Sequence, residues 1–318
     1  MGLLQDAVAQ LAAIQRTVRP SIAKRAVVMF CADNGVVAQG VTQCGQEVTA
    51  TVTENMGRGK STVCLMAKHI GMDSFPVDIG VARDVEGERI LRRKIRYGTA
   101  DMTKEPAMTR EEAVRALETG IQMTEWCAAQ GYRLVCGGEM GIGNTTTSAA
   151  VTAVLTGANV RDVTGRGAGL SSEGLERKVH AIETALKLHQ PDPDDPVDIL
   201  HKVGGLDIAG MAGFYLGAAA CGLPVVLDGV ISCAAALIAV RLCPAVRDYL
   251  IAAHQSAEPA GRLLLEALGY TPFISAGMRL GEGTGAVAAV AMIDLVLAAY
   301  DGMPSFDEAG IEAYQPLT

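Results

Sequence analysis

Apolar runs that end at a glycine turn and lead into a helical pattern constrain this chain most strongly. Residues 24–31 (KRAVVMFC) form such a run, which residues 32–35 (ADNG) close with a turn signal. Similar runs cover residues 74–79, 133–136 and 224–228. Because strands that alternate with helices form parallel sheets, we predict an α/β fold with a parallel sheet flanked by helices. Ligands bind beyond the carboxyl ends of the strands in such sheets.

Apolar periodicity and capping residues predict helices between these strands. Thr109 is the expected cap of a long helix, because acidic residues follow it in the first turn. Residues 190–196 (QPDPDDP) resemble a linker. Apolar periodicity predicts an N-terminal helix, helices at about 46–66 (interrupted at 57–59), 109–130, 145–156, 172–189, 207–221, 232–242 and 286–299, and further strands at 250–254 and 272–275.

Composition excludes several classes of function. Hydrophobic residues make up 49% of the chain, so it is not disordered, and aromatic residues only 4%, so the core consists of aliphatic side chains. A net charge of −8 argues against a nucleic-acid partner. The basic cluster at 89–96 follows acidic residues and indicates a solvated segment of mixed charge. The eight cysteines form no CxxC pair, and we see no signal peptide or transmembrane span, so we expect a cytoplasmic protein without a membrane partner.

Residues 278–285 (MRLGEGTG) place one carboxylate, Glu282, between Gly281 and Gly283 and directly before the apolar run 286–299. Glycines let the backbone approach a ligand or adopt positive φ. An acid there faces the positive end of the following helix and its free N–H groups. The segment therefore predicts a place to hold an anion or to position a base. The alternative is that the glycines serve close packing and Glu282 is an ordinary carboxylate of a first helical turn.

A second glycine loop follows the strand at 133–136. Gly138 and Gly143 have the glycine spacing of a phosphate-binding P-loop, but Asn144 stands where that motif requires lysine. The glycine spacing of a Rossmann fingerprint is also incomplete. What remains is a strand, glycines and the hydroxyl of Thr145 at a helix N-terminus, which suit a single phosphate bound by backbone N–H groups. The alternative is a tight turn with a threonine cap.

Residues 164–169 (TGRGAG) have a similar design. Arg166 is a candidate fork for an anion, and Lys178, nearly two turns into the next helix, is a candidate point charge for a phosphate. A solvated lysine is the alternative for Lys178. Ser256 places a hydroxyl near a helix start. His254 has no partner at metal-ligand spacing, so we expect no metal site.

Glu139 and Glu282 are both acids on glycine loops beyond predicted strands. Two such acids suit general acid/base chemistry at a glycosidic bond. The alternative is a pair of unrelated surface carboxylates. Together with the phosphate-type loops, the two acids indicate a phosphorylated sugar substrate.

A series of motifs in this order covers most of the chain: ADNGV (32–36), QEVT (46–49), GEMGIGNTT (138–146), GRG (165–167), GL (169–170), VGGLDIA (203–209), VVLDG (225–229), SAEP (256–259) and RLGEGTG (279–285). The set resembles the nicotinate-nucleotide:dimethylbenzimidazole phosphoribosyltransferases of cobamide lower-ligand synthesis. The resemblance implies that phosphoribosyl passes from nicotinate mononucleotide to an aromatic acceptor, so that nicotinate and an α-configured product form.

The resemblance also implies roles for individual residues. Glu282 matches the general base, which deprotonates the acceptor as it attacks C1′, and Glu139 matches a second acid of the active site. Leu280 matches a residue that lines the acceptor pocket. No metal and no cofactor are implied. Together with the loop analysis, the resemblance predicts substrate binding by Gly141, Gly143, Asn144, Thr145, Gly165, Arg166, Gly167, Lys178 and Ser256.

The family resemblance implies a Rossmann-like α/β domain with a smaller helical domain, usually dimeric. We therefore expect one phosphoribosyltransferase domain over residues 1–318, whose small helical part comprises the N-terminal helix and C-terminal segments. Family members commonly carry an additional N-terminal segment ahead of the Leu3-Leu4 helix.

Two further departures bear on the acceptor. Ser275 stands where an aspartate is common, and residues 42–45 (TQCG) lack the usual aromatic residue and proline. Some relatives attach phenol or p-cresol and work as two different subunits. The acceptor is therefore dimethylbenzimidazole or a phenol, and the assembly a homodimer or a heterodimer with a homologous subunit. A non-catalytic subunit of a phenol-using complex and a nucleotide N-glycoside hydrolase are the alternative functions.

Overall fold

The protein is described by a computed structural model that covers residues 1–312 and residue 315. One parallel sheet forms its centre, with the strand order β3-β2-β1-β4-β5-β6. This is the order of doubly wound dinucleotide-binding folds, in which ligands bind where the strand order reverses. The predicted Rossmann-like α/β architecture is confirmed. The strands are β1 (Arg25–Ala32), β2 (Asp73–Gly80), β3 (Leu91–Arg92), β4 (Leu134–Met140), β5 (Val225–Leu227) and β6 (Leu250–Ala252).

Helices cover both faces of the sheet. They are α1 (Leu3–Gln15), α2 (Glu47–Gly57), α3 (Thr62–His69), α4 (Arg110–Ala129), α5 (Asn144–Thr156), α6 (Val160–Val163), α7 (Ser172–His189), α8 (Pro196–Val203), α9 (Leu206–Cys221), α10 (Val230–Leu242), α11 (Ala260–Leu268), α12 (Thr284–Gly302) and α13 (Phe306–Ala309), and 3₁₀ turns lie at Gly35–Gln39 and Pro244–Tyr249. The division into a main and a small helical part stays a prediction.

Two hydrophobic cores lie on the two faces of the sheet, and β1 contributes to both. Val28 and Phe30 point into the core that contains α4, α9 and α10. Val27 and Met29 point into the opposite core, which contains α1, α3 and α12. This alternation follows from the two-residue period of a strand. Since both faces are covered, every residue of β1 is buried, which explains its continuous apolar sequence.

Small residues allow close helix packing in place of aromatic bulk. A Cβ at Gly120 of α4 would overlap backbone atoms of Gly210 and Phe214 in α9. A Cβ at Gly213 of α9 would in turn overlap the backbone of Leu117 in α4. The two helix backbones are therefore in contact, and no residue larger than glycine fits at these positions.

Most local predictions are confirmed, with small shifts at the element ends. Thr109 caps α4 as expected: its hydroxyl accepts the N–H of Glu112 at 3.1 Å, and the Glu112 carboxylate accepts the N–H of Thr109 at 2.8 Å. The predicted strand at 272–275 is wrong, because only an isolated bridge between Ile274 and His254 forms there. Two apolar residues after a proline, Phe273 and Ile274, are too few to extend the pairing. Short helices α8 and α11 were not predicted.

Helix α12 is long and apolar enough to cross a membrane. Its mean hydropathy over the most apolar window is 1.6, and 44% of that window is buried in the protein. Val290 and Ile293 are completely buried against the sheet, whereas Leu295 is 74% exposed. Since its buried face belongs to the core that contains α1 and α3, α12 is a core helix with one exposed apolar face.

Candidate active site

A cavity of about 320 Å³ opens at the carboxyl ends of β4 and β5. Ten predicted site residues line it: Glu139, Gly141, Gly143, Asn144, Thr145, Arg166, Gly167, Ser256, Leu280 and Glu282. Gly165 and Lys178 do not line it and lie behind the loop that does. The separate loops of the sequence thus meet at one edge of the sheet.

Glu282 lies in a strained loop immediately before α12. Its φ is +63°, and the flanking Gly281 and Gly283 have φ values of +85° and +98°. The Glu282 carboxylate accepts the backbone N–H of Val63 at 3.1 Å, which is at the N-terminus of α3. The carboxylate therefore lies at the positive end of α3, while Glu282 itself directly precedes the N-cap of α12. Burial raises the pKa of Glu282 above its usual range.

Glu139 lies within β4 and not on the following loop, because the strand continues to Met140. One carboxylate oxygen accepts the backbone N–H of Glu282 at 3.2 Å. Burial, and then the nearby Asp207 carboxylate, raise the pKa of Glu139 to about 8. At neutral pH Glu139 therefore keeps its proton. Because one acid holds the backbone of the other, the two belong to one site and are not unrelated surface groups.

Asn144 connects two buried acids. Its side-chain amide donates to Glu139 at 2.5 Å and to Asp207 at 2.9 Å. Burial raises the pKa of Asp207 as well. The residue at the lysine position of a P-loop is thus engaged with carboxyl groups. Asp207 belongs to the motif at 203–209, but nothing in its local sequence marks it as a site residue.

Lys178 is completely buried, so it is not a solvated lysine. Its ammonium group donates to the Thr145 hydroxyl at 2.8 Å and to the Gly165 carbonyl at 3.0 Å. Burial lowers the pKa of Lys178 to about 8. Lys178 therefore connects the two predicted phosphate loops on the side away from the cavity, so these loops lie between its charge and the cavity.

Three further predicted side chains, those of Arg166, Ser256 and Leu280, also line the cavity. Arg166 lines the cavity, but its guanidinium donates to the Leu170 carbonyl at 2.7 Å and to the Ser172 hydroxyl at 3.2 Å. Part of its donor capacity for an anion is therefore already used by neighbouring residues of the chain. Ser256 does not cap α11, whose first position follows Pro259. Leu280 is 60% exposed at the cavity mouth.

Asp228 and His254 are among the residues of the cavity wall that were not predicted as site residues. Asp228 directly follows β5, and an acid after a buried strand was the available signal. Burial alone would lower the pKa of His254, but the adjacent Asp228 carboxylate outweighs it and raises that pKa. Within residues 1–312 and 315, no group of three or more His, Cys, Asp or Glu side chains could hold a metal ion.

Comparisons with known proteins agree with the motifs. The phosphoribosyltransferase family model DBI_PRT matches residues 1–311. The chain is 48% identical over 316 residues to the nicotinate-nucleotide--dimethylbenzimidazole phosphoribosyltransferase of Acetivibrio thermocellus (99% of this chain, 90% of the relative). It is 45% identical over 317 residues to the protein of the same name from Ruminiclostridium cellulolyticum (100% and 90%). The crystal structure of CobT from Thermus thermophilus superposes with a TM-score of 0.92 at 40% identity (98% of this chain, 93% of that chain).

Proposed function

Because this chain belongs to the phosphoribosyltransferase family, we propose that it transfers phosphoribosyl from nicotinate mononucleotide to dimethylbenzimidazole. The products are nicotinate and the α-ribotide, used in cobamide nucleotide-loop synthesis. The names of the relatives support the substrates. The observation that carries the proposal is the meeting of Glu282 and Glu139 in one cavity with two glycine loops above the buried ammonium of Lys178.

The proposed chemistry uses Glu282 as general base. The acceptor nitrogen forms a bond to C1′ of the ribose, and its proton passes to the Glu282 carboxylate. The bond from C1′ to the pyridinium nitrogen breaks, and its electron pair neutralises that nitrogen, so nicotinate leaves. The pKa of Glu282 is raised by burial, which makes it a stronger base than a solvated glutamate. Val63 holds its carboxylate in place.

In this proposal the phosphate binds on the two phosphate-type loops above Lys178. The loop at 164–169 and the N-terminus of α5 offer backbone N–H groups, and α5 begins after Gly143 in the left-handed conformation with φ +93°. Such helix starts favour anions. Lys178 adds positive charge beneath both. The acceptor lies against Leu280 and the apolar side chains of Val41, Val52 and Met140, which line the same cavity.

We further propose that the enzyme is cytoplasmic and works as a homodimer. Its eight cysteines are all free, in keeping with a reducing compartment. An apolar groove of about 340 Å³ lies between α3 and α12, lined by Leu65, Ile70, Val287 and neighbours. Exposed Leu65 and Leu295 extend this surface, and a second copy would cover it. Light scattering on the purified protein tests the dimer, and co-purification of a homologous chain would instead favour a heterodimer.

The deciding experiment is nicotinate release from nicotinate mononucleotide by the purified protein alone. Parallel reactions contain dimethylbenzimidazole, phenol or no acceptor. Release that requires dimethylbenzimidazole supports the proposal, and release that requires phenol moves the enzyme to the phenol-using relatives. Release without acceptor shows a hydrolase. No release in any reaction, from protein with the expected fold, contradicts the proposal and favours a non-catalytic subunit.

A further inference from the structure

The carboxylate of Asp228 binds the start of α12 from another part of the chain. One oxygen accepts the backbone N–H groups of Gly285 at 2.7 Å and Ala286 at 3.2 Å, and the other accepts that of Gly283 at 3.2 Å. The N-cap residue of α12, Gly283, has no side chain to do this. Asp228, which precedes Gly283 by 55 residues, therefore accepts hydrogen bonds from the N–H groups that a helix start leaves without partners.

The backbone conformation of the loop that Asp228 holds is not one that its residues favour on their own. Gly281, Glu282 and Gly283 all have positive φ, and a residue with a Cβ rarely adopts the left-handed conformation of Glu282. Such a conformation persists only where surrounding contacts determine it. Three N–H groups on Asp228 and one on Glu139 fix the backbone on either side of the Glu282 side chain.

Asp228 is itself fixed on several sides. It is 3% exposed, and its backbone N–H donates to the Ser232 hydroxyl at 2.9 Å, which in turn bonds the Tyr215 hydroxyl at 2.7 Å. The Nε2 atom of His254 lies 3.5 Å from the Asp228 carboxylate. A Cβ at Gly285 would overlap the His254 ring and approach Asp228, so the helix start lies directly against this pair.

We propose that Asp228 is a positioning residue for the general base: by capping α12 it holds the left-handed loop that aims the Glu282 carboxylate at the acceptor. The inference rests on the proposed function for its catalytic part. It differs from a purely structural role, because it requires that the contribution of Asp228 to turnover disappears when Glu282 is no longer a base.

A double-mutant cycle tests this requirement. Asp228→Asn should lower kcat by about 100-fold, the size of effect that a base displaced by an ångström produces, with little change in KM for nicotinate mononucleotide. Introduced into Glu282→Gln, the same change should lower the remaining turnover less than about threefold, because coupled residues are not additive. An equal loss in both backgrounds would overturn the inference.

The matched control is Asp78→Asn. Asp78 is also a buried strand acid whose carboxylate accepts a backbone N–H, that of Val81 at 3.0 Å, and it pairs with Lys94 at 3.2 Å. Among the described residues, no hydrogen bond or ion pair joins it to the loop at 281–286. Its effect should be the same with and without Glu282→Gln. Failure of the proposed function is recognised separately, since the unaltered protein would then release no nicotinate in an acceptor-dependent manner.

Amide hydrogen exchange, followed by NMR on the unaltered protein, decides the structural part even if Asp228→Asn does not fold. The amides of Gly285 and Ala286 should exchange at least tenfold more slowly than those of Val230 and Ile231 in the first turn of α10. Those two residues are also buried, and among the described residues no side chain caps them. Equal exchange rates would show that Asp228 does not hold the helix start and would overturn the inference.

Discussion

Replacing Glu282 with glutamine tests the central chemical assignment. Glutamine has the size of glutamate, and its carbonyl oxygen can still accept the Val63 N–H, now 3.1 Å from the carboxylate. The change therefore removes the proton acceptor and preserves the anchor. Loss of a general base costs roughly 100- to 10,000-fold in rate. This corresponds to about 3 to 5.5 kcal/mol of transition-state free energy, at about 1.36 kcal/mol for each factor of ten.

The assay is acceptor-dependent nicotinate release over a range of nicotinate mononucleotide concentrations. We expect kcat of Glu282→Gln to fall by this factor and KM to stay within about threefold, because the carboxylate acts on the acceptor's proton and not on the phosphate. The control is Glu266→Gln on the exposed face of α11, which pairs with Arg262 at 2.7 Å and should keep full activity. Turnover of Glu282→Gln within about fivefold of the unaltered protein would refute the assignment of the base.

Three further changes test other parts of the structure. Because the pKa of Glu139 is raised to about 8, the folded state keeps a proton between about pH 4.5 and 8 that the unfolded state releases. The free energy of unfolding therefore falls as pH rises through this window. Glu139→Gln should flatten that fall, which unfolding titrations at about pH 5 and pH 8 measure. Lys178→Ala should raise KM for nicotinate mononucleotide about tenfold or more while kcat at saturation changes less, whereas Lys187→Ala on the exposed face of α7 should change neither. Gly120→Ala should destabilise the protein by about 1 to 3 kcal/mol, because the added methyl group meets α9 backbone, while Gly302→Ala, with open space around it, should not, and denaturant unfolding compares the two.

Most strands of the sheet could be predicted because their sequence pattern is contained in a few consecutive residues. The run at 24–31 is continuously apolar and bounded by a turn signal, and it became β1 with a shift of one residue. In contrast, β3 comprises only Leu91 and Arg92 within a charged stretch, where pairing with Val77 and Asp78 of β2 decides the conformation. The segment 272–275 was predicted as a strand but makes a single bridge. Pairing partners, not composition, separate these two cases.

The site divides in the same way. Glu282 could be found from sequence, because two adjacent glycines and a following helix mark its position locally. The burial of Lys178 could not be found from sequence, since it depends on contacts with Thr145 at the start of α5 and with Gly165 in a separate loop. The capping of α12 by Asp228 also joins distant segments, so the sequence around Asp228 or around Gly285 gives no signal of the contact.

The charges of the cavity explain how one substrate can be held in one orientation. Glu139, Asp228 and Glu282 lie together, and among the described residues no lysine or arginine forms an ion pair with any of them. Their partners are backbone N–H groups, His254 and the side-chain amide of Asn144. The buried ammonium of Lys178 lies beneath the phosphate-type loops, where it donates to Thr145 and Gly165, and the Glu258 carboxylate is near it. In the proposed reaction, positive charge passes from the pyridinium ring to the ribose as the bond to C1′ breaks, and the Glu282 carboxylate stabilises it. Glu139 keeps its proton, and Asp228 acts through the loop that it holds. The phosphate carries negative charge, which Lys178 and the start of α5 favour. In this proposal, binding of the phosphate there leaves the bond to C1′ beside Glu282, which lines the same cavity.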